Sequence, residues 1–208
     1  MLETQNKCLR LKVCGITRLE DALLASSLGV DAIGFVFYKK SPRYIQPESA
    51  AKITQALPPF MTTVGLFVNP TQQDIDDTLA VCPIDTIQLH GNEEPAFCKQ
   101  QQRRVVKAVA ISSVKDLDNI HQFECPVLLD AKAPHDVYGG TGQSFDWSVL
   151  DNVTHEHPII LAGGINITNI DAAMRVEGLY ALDVSSGVES AKGIKDKQKM
   201  ITLCEKFH

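Results

Sequence analysis

The chain has 208 residues, of which 44% are hydrophobic and 22% charged, a composition typical of a globular protein with one well-buried core. Its formal net charge of −5 argues against a nucleic acid or an anionic membrane as partner, because an acidic surface attracts neither. No apolar run approaches the roughly 20 residues of a membrane-spanning helix, and the first residues lack the hydrophobic core of a signal peptide.

A strand that runs directly into a helix is predicted at the start of the chain. Residues 9–13 alternate between apolar and basic side chains, the period of a short strand, and Cys14-Gly15 ends it. Thr17, with Glu20 three residues later, predicts a capping box that begins a helix. Cys14 is therefore expected at the carboxyl end of a strand, where parallel α/β folds bind ligands. A buried cysteine that serves only as a small hydrophobe is the alternative.

The same strand–helix cycle repeats along the rest of the chain. Strands are predicted at 32–37, 63–68, 86–90, 105–111, 127–130, 159–162 and 181–184, and helices at 18–29, 47–57, 71–81, 93–102, 113–123, 146–150, 168–176 and 195–206. Eight such units with nearly all-apolar strands predict an α/β fold, a (β/α)8 TIM barrel of parallel strands. An open doubly wound sheet usually has fewer strands and a glycine-rich first turn, which is absent here. Because no linker interrupts the pattern, we expect residues 1–208 to form one domain.

Two neighbouring strands, the seventh and the eighth, are followed by small residues. The first turn is Gly163-Gly164 and the second is Ser185-Ser186-Gly187. In (β/α)8 barrels the loops after these strands commonly bind phosphate, assisted by helix N-terminal dipoles. Glycines that merely close tight turns are the alternative, but two such turns on adjacent strands favour a phosphate site.

An acidic side chain, Asp130, ends the sixth strand directly after three buried apolar residues. A carboxylate at such a position is costly unless it is hydrogen-bonded or takes part in proton transfer, and capping of a loop is the alternative. Strands one and six lie on either side of the predicted phosphate site. Cys14 and Asp130 would therefore flank an anchored phosphosugar, as general acid–base isomerisation requires.

Other side chains near the strand ends have more than one interpretation. Arg43, in the second loop, either binds a carboxylate bidentately or is a solvated surface charge. His90 ends the fourth strand and is either a catalytic, substrate-binding histidine or one that only makes a hydrogen bond. Asp183 is expected to accept hydrogen bonds from neighbouring backbone N–H groups rather than to contact the substrate. The glycine-rich segment 132–144 is expected to be a loop, either a lid over the site or a solvent loop.

Eight short segments occur in order over nearly the whole chain: KVCGIT, GFVFYKKSPRYI, VGLFVN, IQLHGNE, LLDA, GGTGQSFDW, LAGGI and LDVSSGVES..GIKD. Each is weak alone, but the ordered set is specific, and it resembles the phosphoribosylanthranilate isomerase family of tryptophan biosynthesis. The resemblance implies a (β/α)8 barrel with no cofactor or metal. It also implies an Amadori rearrangement of N-(5-phosphoribosyl)anthranilate to 1-(2-carboxyphenylamino)-1-deoxyribulose 5-phosphate.

The resemblance assigns roles to individual residues. It makes Cys14 the general base and Asp130 the general acid, and it places Arg43 at the anthranilate carboxylate and the two small-residue turns at the phosphate. As a base, Cys14 is expected to have a thiol pKa below its free value of about 8.5, which a position near a helix N-terminus favours. The implied partner is a small phosphosugar–anthranilate substrate, and the sequence leaves open whether the protein is a monomer or a homodimer.

Three rival functions differ from this one at particular residues. The histidine-pathway sugar isomerase resembles the fold but uses an aspartate where this chain has Cys14. Indole-glycerol-phosphate synthase shares the barrel but relies on a lysine and glutamate set that we cannot place here. A phosphosugar-binding barrel without turnover would lack Cys14 or Asp130. The six cysteines are scattered, with no Cys-x-x-Cys pair, so we expect reduced thiols and a cytoplasmic location.

Overall fold

A computed structural model describes residues 9–131, 146–150 and 153–208. Its eight parallel strands are β1 (Arg10–Cys14), β2 (Ala32–Val36), β3 (Thr62–Phe67), β4 (Thr86–Leu89), β5 (Arg104–Ile111), β6 (Val127–Ala131), β7 (Ile159–Leu161) and β8 (Leu179–Val184). Each strand pairs with the next, and β1 pairs with β8, which closes the barrel. The predicted (β/α)8 barrel is confirmed.

Helices follow the strands as the sequence predicts, although several are shorter. The α-helices are α1 (Leu19–Ser27), α2 (Pro47–Gln55), α3 (Gln72–Val81), α4 (Pro95–Lys99), α5 (Ile170–Ala173) and α6 (Lys197–Phe207). The segments Val114–Gln122 and Trp147–Leu150 are 3₁₀ helices, and the first of them begins with a capping box between Ser113 and Asp116. None of the helices in the described ranges is long and apolar enough to cross a membrane.

Apolar side chains fill two layers because neighbouring residues on each strand point to opposite faces. One layer lies between the strands and the helices and contains fully buried residues such as Leu11, Phe35 and Leu129. The other is a smaller cluster inside the barrel, formed by Ala108, Leu128, Ile160, Ala162 and Ala181. The polar side chains of the interior lie above this cluster, at the carboxyl ends of the strands.

A short hairpin between β8 and α6 was not predicted from the sequence. Its strands are β9 (Glu189–Ala191) and β10 (Ile194–Lys195), which pair antiparallel. The hairpin also explains why the capping box predicted at Thr17 is wrong. The Thr17 hydroxyl donates to the carbonyl of Gly193 in the hairpin turn, and α1 begins after Arg18 without a side-chain cap. The glycine-rich segment predicted as a loop, 132–144, lies outside the described residues.

Candidate active site

The carboxyl ends of the strands surround a cavity of about 60 Å³. Most of the predicted site residues line it: Cys14, Arg43, His90, Asp130, Gly163, Gly164, Ser185 and Ser186. An adjoining cavity of about 300 Å³ is also lined by His90 and Asp130, so these two side chains lie at the boundary between the two spaces. The second volume is in the range of small-molecule pockets.

Gly187 is the one predicted site residue that the structure places outside the cavity lining. It pairs in an isolated parallel bridge with Asn166, in the turn after β7. A Cβ atom at Gly187 would overlap the carbonyl oxygen of Ile165. Gly187 therefore allows the turns after β7 and β8 to approach each other.

Cys14 lies on the side of the cavity formed by β1 and β8, next to a buried ion pair. Lys12 Nζ donates to Asp183 Oδ1 at 2.9 Å, and both side chains are almost fully buried. Gly34 of β2 leaves room for the thiol, because a Cβ there would lie 2.8 Å from Cys14 Sγ and 3.2 Å from Lys12 Cε. The expectation that Asp183 accepts from backbone N–H groups is wrong, since its described partner is the Lys12 ammonium.

These charges act on the Cys14 thiol in opposite directions. Burial raises the pKa of Cys14 and Asp183 adds to the rise, while Lys12 and Lys195 partly offset it. The expectation of a lowered thiol pKa is therefore wrong for the ligand-free protein, because desolvation outweighs the cations. The pKa of Lys12 would fall by burial alone, but Asp183 and Cys14 raise it above its ordinary value. Lys12 therefore remains a cation beside the thiol.

Arg43 is buried and makes an ion pair with a residue of the unpredicted hairpin. Its Nε and Nη2 atoms donate to the two carboxylate oxygens of Glu189 at 2.8 and 2.7 Å. Lys195 Nζ donates to Glu189 Oε1 at 3.0 Å and to the Cys14 carbonyl at 2.6 Å. Arg43 is thus not a solvated surface charge. The two hydrogen bonds to Glu189 fix the orientation of its guanidinium group.

Asp130 lies on the opposite side of the cavity and has different partners. Its Oδ1 accepts from the backbone N–H of Ala131 at 2.8 Å, and its Oδ2 lies 3.2 Å from His90 Nε2. Gly163 has a φ of +84°, and a Cβ there would lie 3.0 Å from Asp130 Oδ1 and 2.6 Å from the Ala131 nitrogen. Glycine at this position therefore leaves space for the carboxylate.

The two small-residue turns are held by side-chain hydrogen bonds. Asn166 Nδ2 and Asn169 Nδ2 donate to the Gly164 carbonyl at 2.9 and 3.0 Å. The Ser185 hydroxyl donates to the Cys14 carbonyl at 3.2 Å. The Ser185 bond connects the turn after β8 with the end of β1, and residues of both turns line the cavity.

Sequence reasoning missed four side chains of the site. Lys12, Gln88, Glu189 and Lys195 are buried among the predicted residues. The position of Lys12 two residues before Cys14 could have revealed it, because alternate residues of a strand point to the same face. Glu189 and Lys195 pair with each other, but no local signal connects them to the site, since the Arg43 and Cys14 groups that they contact lie more than 100 residues away. Among the described residues, no group of three or more His, Cys, Asp or Glu side chains is placed to hold a metal ion.

Comparisons with known proteins agree on one family. The family model of N-(5'phosphoribosyl)anthranilate (PRA) isomerase matches residues 11–206. An N-(5'-phosphoribosyl)anthranilate isomerase of Geobacter metallireducens is 48% identical over 192 residues, which cover 92% of this chain and 95% of that protein.

Two solved structures are similar over nearly the whole fold. One is a phosphoribosyl anthranilate isomerase in complex with reduced 1-(o-carboxyphenylamino)-1-deoxyribulose 5-phosphate, which is 39% identical with a TM-score of 0.82 and covers 95% of this chain and 97% of its own. The other is a monomeric form of the dimeric enzyme from Thermotoga maritima, which is 38% identical with a TM-score of 0.83 and the same coverage.

Proposed function

The chain belongs to the N-(5'-phosphoribosyl)anthranilate isomerase family, and from this premise we propose how its residues carry out the reaction. The protein is a phosphoribosylanthranilate isomerase of tryptophan biosynthesis. It rearranges N-(5'-phosphoribosyl)anthranilate to 1-(o-carboxyphenylamino)-1-deoxyribulose 5-phosphate, an aldose-to-ketose isomerisation. The assignments of individual residues below are our proposal.

We propose that the turns after β7 and β8 bind the phosphate of the substrate. Gly163, Gly164, Ser185 and Ser186 line the cavity from one direction, in the loops that commonly bind phosphate in this fold. Gly187 supports this site by allowing the turns to approach. Arg43 would bind the anthranilate carboxylate, and its pairing with Glu189 orients the guanidinium before the substrate arrives.

Catalysis would begin at Asp130 and end at Cys14. Asp130 in its protonated form donates to the ribose ring oxygen, the bond between C1 and that oxygen breaks, and the anilino nitrogen forms an iminium ion with C1. The iminium acidifies the proton on C2, which the Cys14 thiolate removes. The resulting enolamine tautomerises to the ketone. Lys12 and Lys195 would favour the thiolate, and His90 beside Asp130 would contact the substrate near the reacting atoms.

The observation that carries this proposal is the position of Cys14 and Asp130 in one cavity. They come from β1 and β6, and the two turns after β7 and β8 lie between these strands in the barrel order. A phosphosugar held by the turns would therefore have a thiol on one side and a carboxyl group on the other. This is the arrangement required when one group donates a proton and a second group removes another.

The fluorescence decay of freshly generated phosphoribosylanthranilate tests the assignments. We expect rapid decay with the wild-type protein and a loss of turnover by at least about 10²-fold with Cys14→Ala or Asp130→Ala, because each variant removes one proton-transfer group. Circular dichroism of each variant controls for folding. Turnover near the wild-type rate in either folded variant would remove that residue from the acid–base pair.

We further propose that residues 1–208 form one domain in the cytoplasm, where the described free cysteines would stay reduced.

A homodimer is supported by Phe60, whose side chain is 97% exposed beside an apolar cavity of about 690 Å³ at the N-terminal mouth of the barrel. An exposed aromatic ring next to an apolar surface is typical of a protein interface. Light scattering would give the molar mass, and a monomer at micromolar concentration would contradict this proposal.

A further inference from the structure

A glutamine, a histidine and an aspartate form a hydrogen-bonded array that leads from the barrel interior to the cavity. Gln88 Nε2 lies 3.0 Å from His90 Nδ1, and His90 Nε2 lies 3.2 Å from Asp130 Oδ2. Gln88 is 1% exposed, although its side chain reaches the cavity lining. The mechanism proposed above gives Gln88 no role.

The oxygen atom of the Gln88 carboxamide has no hydrogen-bond partner among the described residues. Gln88 Oε1 is buried, and no described residue donates a hydrogen bond to it. A half-turn about the Cγ–Cδ bond exchanges the oxygen and nitrogen at nearly the same positions. Since either orientation leaves one amide atom without a described partner, His90 is the group that selects between the two orientations.

Each orientation is compatible with a different number of protons on His90 and Asp130. When Nε2 of Gln88 faces the ring, His90 Nδ1 must accept, so a neutral His90 carries its proton on Nε2 and donates it to the Asp130 carboxylate. When Oε1 faces the ring, His90 Nδ1 carries a proton. His90 Nε2 then shares one further proton with Asp130. The second arrangement therefore holds one proton more than the first.

We propose that Gln88 is a positioning residue for the general acid, because the orientation of its carboxamide decides whether the His90–Asp130 pair holds the proton that ring opening consumes. The His90–Asp130 pair that holds the extra proton transfers it to the ribose ring oxygen, which also receives the electrons of the breaking bond to C1. Asp130 is left as a carboxylate, and a proton from solvent restores the pair. This inference rests on the proposed role of Asp130.

Other titratable and charged groups face the pair from neighbouring elements. Cys14, Tyr38, Arg43 and Asp183 line the same cavity, and Glu93, Glu94 and Lys107 line the adjoining one. Among these groups, Arg43 is in an ion pair with Glu189, Asp183 with Lys12, and Glu93 with Lys107.

Nitrogen-15 NMR of the ligand-free, full-length protein labelled at histidine tests the array directly. The His90 signals are assigned by comparison with His90→Asn. In the wild type we expect Nδ1 to become protonated as the pH falls and the pair takes up its proton. In Gln88→Glu, whose carboxylate can only accept a hydrogen bond, we expect the midpoint of this transition to move up by about one pH unit. In Gln88→Met we expect the midpoint to move down by about one pH unit. An Nδ1 that never becomes protonated in the folded wild type would overturn the proposal.

The pH dependence of kcat provides a second readout. We expect the basic limb of the profile to move with the NMR transition, to higher pH in Gln88→Glu and to lower pH in Gln88→Met. At pH values above the limb, kcat should therefore change about tenfold, while KM stays within about twofold of the wild type. A merely structural role would lower kcat equally at every pH, and that result would also contradict the proposal. Turnover by Asp130→Asn would instead refute the proposed role of Asp130, without altering the NMR result.

Gln101 offers a matched control. Its Oε1 is also buried without a described partner, but its Nε2 donates to Gln72 and to the Phe97 carbonyl in α4. Gln101→Met therefore removes a similar buried amide away from the site. We expect neither the His90 signals nor the pH profile to change in this variant, and a change equal to that in Gln88→Met would overturn the specific role of Gln88.

Discussion

The two sides of the cavity hold their reacting groups by different means. Around Cys14 the structure places full charges, the Lys12–Asp183 pair and the Arg43–Glu189–Lys195 network. Around Asp130 the direct partners are an imidazole ring and a backbone N–H.

The difference follows from what each group has to do. A base that becomes an anion in a buried place needs cations nearby, because burial alone raises the pKa of its thiol. A group that gives up a proton and later regains it needs partners that can form hydrogen bonds with both its protonated and its deprotonated form. An imidazole can do this, since each of its nitrogens either donates or accepts a hydrogen bond.

Replacing Glu189 is expected to have the largest effect on the stability of the charged side. In Glu189→Gln, Arg43 and Lys195 stay buried and both lose the Glu189 carboxylate, which we expect to reduce the free energy of unfolding by about 3–5 kcal/mol. Urea denaturation would measure this loss. A stability within experimental error of the wild type would show that the network contributes little and that the two sides of the cavity are alike in this respect.

The same variant has a predicted pH dependence. Burial acts to raise the pKa of Glu189, but Arg43 and Lys195 outweigh it, and the pKa is lowered. A carboxyl group whose folded pKa lies below its unfolded value of about 4.3 stabilises the protein at higher pH, and this stabilisation is lost as the pH falls through the folded pKa. The difference between wild type and variant should therefore be largest near neutral pH and shrink below about pH 4. A difference independent of pH would mean that Glu189 acts by shape alone.

Lys12→Met tests whether a cation is needed on the base side. Without Lys12 the pKa of Cys14 rises further, and we expect kcat to fall by about 10–100-fold and the limb of the pH profile that reports the thiol to move to higher pH. Arg10→Met is the control on the same strand, because Arg10 pairs with Asp31 at a partly exposed position, where an ion pair contributes less than a buried one. Equal activity of the two variants would remove Lys12 from the base side.

The sequence predicts the strands of this fold better than the contacts between distant segments. Continuous apolar runs such as Val127–Leu129 identify buried parallel strands, and the carboxyl ends of those strands place Cys14 and Asp130 in one cavity. The turns after β7 and β8 follow from the same argument. This part of the site could be predicted because the barrel fixes where every strand ends.

The partners of these residues could not be predicted in the same way. Glu189 reaches Arg43 across 146 positions of sequence, through a hairpin that carries no pattern of its own. The Thr17 capping box is wrong for the same reason, since the hairpin offers a carbonyl that competes for the hydroxyl. The sequence does not predict the raised pKa of the Cys14 thiol. A helix terminus, which lowers a thiol pKa, is visible in the sequence, whereas the desolvation of Cys14 depends on how closely Gly34 and its neighbours pack.

Thiol alkylation of the ligand-free protein is expected to show the smallest effect and tests the desolvation directly. Burial raises the pKa of Cys14, whereas a hydrogen bond from Cys98 lowers the pKa of the partly exposed Cys125. A thiol with a raised pKa has less thiolate at a given pH, so at pH 7 we expect iodoacetamide to modify Cys125 about tenfold faster than Cys14. The rate at Cys14 should rise with pH and fall further in Lys12→Met, as peptide mass spectrometry would measure. If Cys14 reacted first at pH 7, the thiolate would already be present without substrate, and the cations would outweigh burial after all.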